Sequence, residues 1–530
     1  MRVDFCPTAL SRVATPTPVS TQPRQPTTTP GSSPLSASFP SAVHASSIIE
    51  GRRVKPPPGV HALPVICPTT EERIGALDEA DAAEVGAAVS AARRAFDSGP
   101  WPRLTLDARK DILYAIRDRL RACADELAYL ESLNAGLPIA RVREQIGRAA
   151  RNFEVYAEIA STLTGETYTG LSGFLTYVTR EPKGVAALIA PWNAPLALGS
   201  MRVAGCIAFG NTCVLKPSEH TPLSTLRMVE IFHEAGLPPG VVNLVNGRGA
   251  VTGAALVAHP DIDMVGFTGG TETGRAVMAA AGRNLKPCLM ELGGKSACII
   301  HSSADLELAL DGALGGIYSN NGQQCLAGSR ILVQRTIAED FIARFTERAR
   351  RIRIGDPLDP ATEMGPLAFA DHLRRVLSYV DVARAEGARL LCGGRRPPGL
   401  ARGYYLEPTA VLVDSNQSRL CREEIFGPFA TFMLYDTLDE AIAIANDSAY
   451  GLVGYVWAED LEAVMRATRA IRAGTLWVNT TMVRELRAPF GGFKQSGVGR
   501  DGARSSAEFY TELKTTTIAI DRPVLAKFGA

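Results

Sequence analysis

Three polar side chains, far apart in the chain, supply the chemistry needed to make and then hydrolyse a thioester. Cys325 lies in a run of small and polar residues, 322–328, that favours a tight turn with backbone N–H groups close to the sulfur. Glu291 ends an apolar run and precedes two glycines, and Asn193 lies on a loop bounded by prolines. A thiol can attack a carbonyl carbon, a carboxylate can activate water, and an amide can hold an oxyanion.

Cys325 by itself is weak evidence for a catalytic thiol, because an isolated cysteine is more often a small buried hydrophobic residue. The ten cysteines include no Cys-x-x-Cys pair and no cluster with the seven histidines at metal-ligand spacing. We therefore expect no metal site. Sparse, unpatterned cysteines also suit a reducing compartment, in which a catalytic thiol stays reduced.

Seven short motifs surround these three residues. They are PWN at 191–193, KPSE at 216–219, FTGGTETG at 267–274, ELGGK at 291–295, GQQCLAGSR at 322–330, EEIFGPF at 423–429 and PFGGFKQSG at 489–497. Their types and order resemble the aldehyde dehydrogenase superfamily, and the resemblance extends from about residue 60 to about residue 520.

The resemblance implies NAD-dependent oxidation of a small-molecule aldehyde to an acid. Cys325 as thiolate would attack the aldehyde carbon, while Asn193 and a backbone N–H near Cys325 hold the oxyanion. Hydride transfer to NAD would leave a thioester, and Glu291 would activate the water that hydrolyses it. Relatives that pass the acyl group to coenzyme A generally lack this base, so its presence favours hydrolysis. Asp501 stands where many members have Glu and is a candidate for an outer proton relay.

Two loops that follow predicted strands suit a dinucleotide. Thr268, Gly269 and Gly270 lie between a strand and a helix, where glycines let a pyrophosphate approach free N–H groups at the helix N-terminus. Glu219, just past a strand that ends at Lys216, can accept hydrogen bonds from ribose hydroxyls and would repel a 2′-phosphate, which favours NAD over NADP. The pattern alone fits a tight connection and a solvated loop equally well. The resemblance assigns cofactor contacts here and also to Trp192, Ser218, Gly249, Leu292, Glu424 and Phe426.

Residues 184–292 alternate short apolar strands with helices, which predicts a mostly parallel, doubly wound sheet. With the resemblance, the expected fold class is α/β and aldehyde dehydrogenase-like. It would have two doubly wound domains, one Rossmann-like and NAD-binding and the other catalytic, plus a β oligomerisation arm. The expected ranges are 1–46 for a disordered extension, 47–160 and 183–292 for the NAD-binding domain, 293–496 for the catalytic domain, and 161–182 and 508–521 for the arm.

Apolar residues at helical spacing predict four helices before the sheet, at 81–96, 105–121, 125–134 and 148–163. Residues 166–183 alternate around two glycines, which predicts a hairpin. The resemblance assigns this hairpin to the arm and implies that a late strand, 512–520, pairs across the subunits of a homodimer or homotetramer. Ordinary edge strands fit the pattern equally well.

The loop that precedes PFGG carries two arginines, Arg484 and Arg487, on either side of Glu-Leu. This run resembles the 2-hydroxymuconic semialdehyde dehydrogenase subgroup, including its 5-carboxymethyl branch, whose substrates carry carboxylates. We therefore expect Arg484, with Arg487 in support, to bind a substrate carboxylate, and Arg143 or Arg141 to supply a second contact. The alternative is that Arg484 and Arg487 pair with acids such as Glu485 as part of the scaffold.

Composition excludes several other classes of function. A chain of 530 residues, 46% hydrophobic and 21% charged, fits a soluble protein with more than one domain. A net charge of +1 gives no reason to expect nucleic acid or a membrane surface as partner, and no apolar run reaches transmembrane length. Residues 1–46 are rich in Ser, Thr and Pro, so we expect disorder; a transit peptide or a start-site artefact fits equally. The expected location is cytoplasmic.

Two other functions stay open. The chain fits a broad-specificity aliphatic or aromatic aldehyde dehydrogenase, which a comparison of carboxylated and neutral aldehydes would test. It also fits a non-catalytic binding or structural member of the fold, although the retention of Cys325, Glu291 and Asn193 argues against this. A burst of NADH with any aldehyde would exclude the non-catalytic function.

Overall fold

The computed structural model describes residues 43–55 and 62–529, which form an α/β protein with two large sheets. The strand Val185–Ile189 shows how the larger sheet is organised. Ala186 and Leu188 pack into one hydrophobic core, whereas Val185 and Ala187 pack into another. Successive side chains of a strand point to opposite faces, so both faces of this sheet are covered, as expected for a doubly wound fold.

The larger sheet has eight strands in the described residues. From edge to edge they are Gly497–Val498, Cys288–Glu291, Met264–Thr268, Val185–Ile189, Thr212–Lys216, Val242–Leu244, Ile48–Ile49 and Arg52–Arg53. The inner strands from Cys288–Glu291 to Val242–Leu244 are parallel, which confirms the predicted sheet and brings their carboxyl ends to one edge. The accompanying helices are Ala82–Asp97, Pro195–Ala208, Leu223–Glu234, Ala254–Ala258 and Thr271–Gly282.

Three further helices precede this sheet, at Leu106–Ala122, Ala124–Ala135 and Ile139–Ala160. The helix predicted at 148–163 was placed too late, because it begins at Ile139, directly after Pro138. Gly136, with φ 74°, ends the preceding helix in a left-handed cap, and proline is well suited to the position just before a helix. The correction matters for the site, because it places residues 139–147 on the same helix as Arg148.

The second sheet has seven strands within the described part of the chain. In spatial order they are Arg389–Cys392, Thr409–Leu412, Phe429–Tyr435, Arg330–Gln334, Ala297–Ile300, Val453–Trp457 and Thr475–Val478. All neighbours are parallel except the first pair, and Ala297–Ile300 again alternates between two cores. The nearby helices are Leu306–Tyr318, Ala338–Arg350, Ala370–Ala385, Arg419–Arg422, Leu438–Asn446 and Leu461–Ala470. The last helix, Ala503–Tyr510, instead packs on Ile139–Ala160 and Pro195–Ala208, beside the larger sheet.

A third sheet contains the predicted hairpin, observed as Glu166–Tyr168 and Phe174–Pro182. The late strand, Thr511–Ala519, pairs antiparallel with Phe174–Pro182 of the same chain along its whole length. Thr511–Ala519 is an edge strand of this sheet, and among the described residues its other edge pairs with no strand. Pairing of this strand across subunits therefore stays a prediction. Small sheets elsewhere consist of Val43–Ala45, Ala62–Ile66 and Arg73–Asp78, and of Tyr450–Gly451 and Phe493–Lys494.

The predicted end of the disordered extension, at residue 46, is corrected. Val43–Ala45 is a strand that pairs parallel with residues 75–77, and Ala45, Ser46 and Ser47 are buried. The prediction for residues 1–42 lies outside the described residues. Among those described, no helix combines the length and apolar composition needed to cross a membrane. The remaining domain boundaries and the cytoplasmic location stay predictions.

Candidate active site

A cavity of about 130 Å³ lies where parallel strands of the larger sheet end. It brings together ten residues predicted from the sequence: Trp192, Asn193, Thr268, Gly269, Gly270, Glu291, Leu292, Cys325, Glu424 and Phe426. Pro191, Gly293 and Arg375 also line it and were not predicted. Gly293 was visible as part of ELGGK, whereas no motif pointed to Arg375, which lies on the helix Ala370–Ala385.

Cys325 is carried by a loop between the helix Leu306–Tyr318 and the strand Arg330–Gln334. In this loop Asn320 and Asn321 have φ angles of 53° and 57°, a left-handed conformation that asparagine tolerates better than most residues. The loop packs closely on the ELGGK segment, because a Cβ on Gly294 would lie 2.4 Å from the Cys325 carbonyl oxygen. Glycine is therefore required at position 294.

The electrostatic surroundings of the Cys325 thiol favour its protonated form. Burial raises the pKa of this thiol to about 12, the carboxylates of Glu424 and Glu291 add to the effect, and the guanidinium of Arg484 opposes it. The thiolate is the nucleophilic form, so a thiol with so high a pKa needs a base to take its proton.

Glu291 lies at the end of the strand Cys288–Glu291, and its carboxylate is buried. In the described part of the chain, neither of its oxygens accepts a hydrogen bond. Burial raises the pKa of Glu291 well above its ordinary value, Asp501 adds to this, and Arg202 opposes it. A carboxylate with a raised pKa is a stronger base than an exposed one, and its free oxygens can accept a proton from a thiol or a water.

Asp501, the candidate for an outer proton relay, forms an ion pair of 3.1 Å with Arg202, and both side chains are buried. Arg202 also donates a hydrogen bond of 3.2 Å to the Thr268 hydroxyl. A guanidinium group keeps its protons at neutral pH, so Arg202 does not pass a proton to Asp501. The relay through Asp501 stays a prediction.

Asn193 follows the strand Val185–Ile189 and is 7% exposed. Its side-chain nitrogen donates a hydrogen bond of 2.8 Å to the carbonyl oxygen of Gln323, two residues before Cys325. An amide nitrogen has two protons, so one can hold the loop while the other points to a substrate oxygen. This geometry suits an oxyanion donor beside the thiol.

The residues predicted for the adenine ribose form a second group, at the end of the strand Thr212–Lys216. Lys216 Nζ lies 3.5 Å from Glu219 Oε2, and the Gly249 N–H donates a hydrogen bond of 3.3 Å to Glu219 Oε1. Ser218 lies between them in sequence and is buried. The Lys216 charge lowers the pKa of Glu219 against the opposing effect of burial, so this carboxylate is ionised at neutral pH.

The helix Thr271–Gly282 begins directly after the glycines of the cavity. Gly270 is its N-cap, and among the described residues no side chain caps it. Its first N–H groups are therefore open to a negatively charged ligand group. A Cβ on Gly270 would meet nothing within 4 Å, whereas one on Gly269 would lie 2.6 Å from the Phe267 ring, so only Gly269 is required by the protein's own packing.

Glu424 and Phe426 close the other side of the cavity. Glu424 Oε1 accepts a hydrogen bond of 2.8 Å from the Gly294 N–H, and burial raises the pKa of Glu424 to about 7. Phe426, in a left-handed conformation with φ 63°, packs edge-on against Trp192 with ring centres 5.2 Å apart. Arg375 donates a hydrogen bond of 2.8 Å to the Glu424 carbonyl, which fixes this turn.

Two arginines, Arg484 and Arg148, act electrostatically on the Cys325 thiol. The Arg484 guanidinium lies 3.7 Å from the centre of the Phe490 ring, and burial lowers the pKa of Arg484. Burial lowers the pKa of Arg148 to about 10, with a further contribution from the Arg484 charge, and its buried Nε has no hydrogen-bond partner among the described residues. Arg148 was not predicted from the sequence. The feature that could have indicated it is a charged residue between Ile146 and Ala149, on the apolar face of this helix.

Arg143 and Arg487, both predicted to bind the substrate, do not line the cavity, and each has an acidic partner elsewhere. Arg143 is exposed and pairs with Asp125 at 3.2 Å, because it lies about 140° around the helix from Arg148. Arg487 is exposed and pairs with Glu485 at 2.8 Å, which is the scaffold alternative considered for it. Arg141 likewise pairs with Glu144, at 3.2 Å.

Comparison with known proteins supports one family. Residues 57–516 match the aldehyde dehydrogenase family. The chain is 41% identical over 453 residues to betaine aldehyde dehydrogenase of Bacillus subtilis (strain 168), covering 85% of this chain and 92% of that protein. It is 42% identical over 447 residues to 5-carboxymethyl-2-hydroxymuconate semialdehyde dehydrogenase of Escherichia coli, covering 83% and 94%. Betaine aldehyde dehydrogenase of Staphylococcus aureus in complex with NAD⁺ has a similar structure, with a TM-score of 0.89 and 37% identity over 92% of this chain and 97% of that one.

Proposed function

The chain belongs to the aldehyde dehydrogenase family and is an NAD-dependent aldehyde dehydrogenase, and from this premise we propose that its aldehyde substrate also carries a carboxylate. The proposed class is a semialdehyde from aromatic ring cleavage, of the 2-hydroxymuconic type. The proposed product is the corresponding acid, since Glu291 and Cys325 line the same cavity and a carboxylate there could activate the water that hydrolyses a thioester on Cys325.

Two cations without protein partners support this substrate class. Within residues 43–55 and 62–529, neither Arg148 nor Arg484 forms an ion pair or a hydrogen bond with another residue. Both side chains are half-buried, and the Arg484 charge disfavours that of Arg148. Asp501 and Glu291 favour the Arg484 charge but do not pair with it, so an anion that bound both arginines would relieve the remaining cost of burying them. A substrate carboxylate supplies that anion, and guanidinium groups bind carboxylates through parallel N–H donors.

The loop that carries Arg484 is held in place from both sides. The Trp477 indole N–H donates a hydrogen bond of 2.7 Å to the Val483 carbonyl, next to Arg484 in sequence. The Phe490 ring supports the guanidinium plane through a cation–π contact. A cation fixed in this way loses little conformational entropy when a carboxylate binds, which favours affinity.

In the proposed acylation step, the Cys325 sulfur attacks the aldehyde carbon and its proton passes to Glu291. The C=O bond becomes a C–O⁻ bond, and the Asn193 amide donates a hydrogen bond to that oxygen. When bound, NAD supplies the acceptor for the hydride that the adduct then loses. The carbonyl that re-forms on Cys325 is a thioester.

In the proposed deacylation step, Glu291 takes a proton from water after its earlier proton has passed to solvent. The water oxygen attacks the thioester carbon, and the C–S bond breaks to release the acid and the thiolate. Both steps use Glu291 as a base, which its raised pKa supports.

The residues present fit NAD. The open N-terminus of the helix Thr271–Gly282 suits the pyrophosphate, and the ionised Glu219 suits ribose hydroxyls and disfavours a 2′-phosphate, so we propose NAD over NADP. Residues that would hold the adenosine and pyrophosphate are Lys216, Ser218, Glu219, Gly249, Thr268, Gly269 and Gly270. Those that would hold the nicotinamide end are Trp192, Leu292, Glu424 and Phe426.

A broad-specificity enzyme is the second candidate, because relatives of nearly equal identity are named for different aldehydes. Overall similarity therefore does not select a substrate. The arginines do discriminate, because they would repel a cationic aldehyde such as betaine aldehyde and contribute nothing to a neutral one.

Replacing Arg484 tests the proposed substrate class. Arg484→Met should lower kcat/KM for 2-hydroxymuconic semialdehyde by roughly 10- to 100-fold, since a charged hydrogen bond contributes roughly 1.5–3 kcal/mol. Benzaldehyde should lose little, because it makes no contact with the guanidinium. Arg487→Met is the matched control from the same loop and should leave both values near wild type. An equal loss for both aldehydes in Arg484→Met would favour broad specificity.

We also propose that the third sheet is the oligomerisation arm of a homodimer or homotetramer. It exposes several large apolar side chains, namely Tyr168, Leu171, Leu513 and Ile518. Apolar surface of this kind, concentrated on one sheet, is typical of a protein interface. Light scattering of Leu513→Glu beside wild type would test it; an unchanged mass would exclude this surface.

A further inference from the structure

We propose that Asn320 is a positioning residue for the oxyanion amide, and that Gln145 holds Asn320 in the orientation this requires. The inference rests on the proposed function in one respect, which is the role of Asn193 as oxyanion donor. It adds a network of side-chain amides that links the helix carrying Arg148 to the loop carrying Cys325.

Two amides converge on one carbonyl beside the nucleophile. Asn320 Nδ2 donates hydrogen bonds to the Asn193 carbonyl at 2.8 Å and to the Gln323 carbonyl at 3.0 Å. Asn193 Nδ2 donates to the same Gln323 carbonyl at 2.8 Å. Asn320 therefore links the Asn193 backbone to the Gln323 carbonyl, which is also the acceptor for the Asn193 side chain. This link sets the direction of the second amide proton of Asn193.

The backbone of Asn320 explains why the residue is asparagine. Its φ of 53° is left-handed, a conformation that favours glycine, asparagine and aspartate. Glycine has no donor, and an aspartate would direct an anionic oxygen at two carbonyl oxygens. Asparagine alone among the three combines this backbone with an N–H₂ group.

Gln145 selects the orientation of the Asn320 amide. Gln145 Nε2 donates a hydrogen bond of 3.1 Å to Asn320 Oδ1, so Asn320 Nδ2 is directed toward the two carbonyls. Gln145 and Arg148 are three residues apart on the helix Ile139–Ala160 and lie on neighbouring parts of one face. A substrate held by Arg148 and the oxyanion donor are thus positioned by the same helix.

The expected consequence is a loss in acylation alone. A donor displaced by about 1 Å can slow a reaction by about 100-fold, and removal of a whole oxyanion donor costs about 10²–10³-fold. Loss of the Asn320 amide should displace the Asn193 amide without removing it. We therefore expect a slowing of roughly 10- to 100-fold in the step that releases NADH.

The experiment uses single-turnover release of NADH from the full-length protein with saturating NAD and benzaldehyde, a substrate that does not depend on the arginines. Asn320→Gly keeps the left-handed backbone available and deletes the amide, so the burst should slow while the Kd for NAD is unchanged. Gln145→Leu leaves the Cys325 loop intact and should slow the burst several-fold, which provides a second test if Asn320→Gly folds poorly.

A double-mutant cycle separates positioning from general scaffolding. If Asn320 acts through Asn193, then Asn320→Gly should add little in an Asn193→Ala background. Asn321→Gly is the matched control, because Asn321 is also left-handed but binds the Gly136 and Pro366 carbonyls. Its burst rate per folded molecule should remain near that of wild type, and its effect should be additive with Asn193→Ala.

Three results would overturn the inference in different ways. A slow burst in Asn193→Ala with a normal burst in both Asn320→Gly and Gln145→Leu would exclude positioning and leave the proposed mechanism intact. Fully additive losses for Asn320→Gly and Asn193→Ala would show that Asn320 only supports the fold. A normal burst in Asn193→Ala would remove the premise, and with it both the oxyanion role and this inference.

Discussion

The nucleotide and substrate ends proposed for the active site differ in how their charged side chains are paired. At the nucleotide end, Lys216 and Glu219 lie 3.5 Å apart and stabilise each other's charged forms. At the substrate end, Arg148 and Arg484 form no ion pair in the described residues, and the Arg484 charge disfavours that of Arg148, although Asp501 and Glu291 favour the Arg484 charge without pairing with it. A paired charge can belong to a preformed site, whereas unpaired ones at one location indicate that the missing partner is the ligand.

The same contrast occurs within a single loop. Arg484 and Arg487 are three residues apart, yet Arg487 is exposed and paired with Glu485, and Arg484 lies over the Phe490 ring near the thiol. Residue type is thus a weak guide to role, and the presence or absence of an acidic partner discriminates better.

The largest expected effect concerns Glu291, a buried carboxyl group whose oxygens accept no hydrogen bond among the described residues. Glu291→Gln should still release about one NADH per site when the thiol is supplied as thiolate at high pH, and then turn over roughly 10²–10⁴-fold more slowly, since it lacks the general base for hydrolysis. Rapid-mixing fluorescence would measure both phases. A steady-state rate like that of wild type would mean that water is activated by another group.

The next effect concerns the unpaired arginine that the sequence did not predict. Arg148→Met should lower kcat/KM for a muconic-type semialdehyde by roughly 10- to 100-fold and spare benzaldehyde. Arg143→Met is the matched control, because Arg143 lies on the same helix but is exposed and paired with Asp125. If the two variants behaved alike, the contrast between paired and unpaired arginines would have no functional meaning.

A smaller effect is expected at the nucleotide end, where Lys216 and Glu219 form an ion pair. Glu219→Ser removes the carboxylate and should narrow the preference for NAD over NADP by about tenfold, which corresponds to about 1.4 kcal/mol. The measurement is kcat/KM for each cofactor at a saturating aldehyde concentration. Equal use of NAD and NADP by the wild type would contradict the assignment of Glu219 to the ribose.

The smallest expected effect concerns the rate at which the Cys325 thiol is alkylated. Because the pKa of Cys325 is raised to about 12, its alkylation by iodoacetamide should keep accelerating from about pH 7 to about pH 10 as the thiolate fraction grows. Arg484 favours the thiolate, so Arg484→Met should raise the pKa of the thiol further and slow alkylation several-fold at a given pH. Peptide-level mass spectrometry would follow Cys325 alone. A plateau near neutral pH would show that the thiolate is already formed there.

Several features of the protein could be predicted from the sequence because they depend on local pattern. The parallel strands of residues 184–292 are continuous apolar runs between helices, and such runs must be covered on both faces. Asn193, Thr268 and Glu291 lie at or just after the ends of parallel strands, and parallel strands bring their carboxyl ends to one edge. These three residues could therefore be expected to meet, although they are far apart in the chain. Cys325 precedes the strand Arg330–Gln334 of the second sheet, so only the resemblance to a known family predicted that it would join them.

The choice among the arginines was decided by the tertiary structure alone. Arg143 and Arg148 both belong to the helix that begins at Ile139 but lie on different faces of it, so Arg143 is exposed and pairs with Asp125, whereas Arg148 is half-buried. Arg484 and Arg487 differ because one contacts Phe490 and the other Glu485, a matter of side-chain packing that local pattern does not encode. Sequence thus determined the reaction, through the residue types of a few short motifs, whereas burial and pairing in three dimensions decided which charges remain for a ligand.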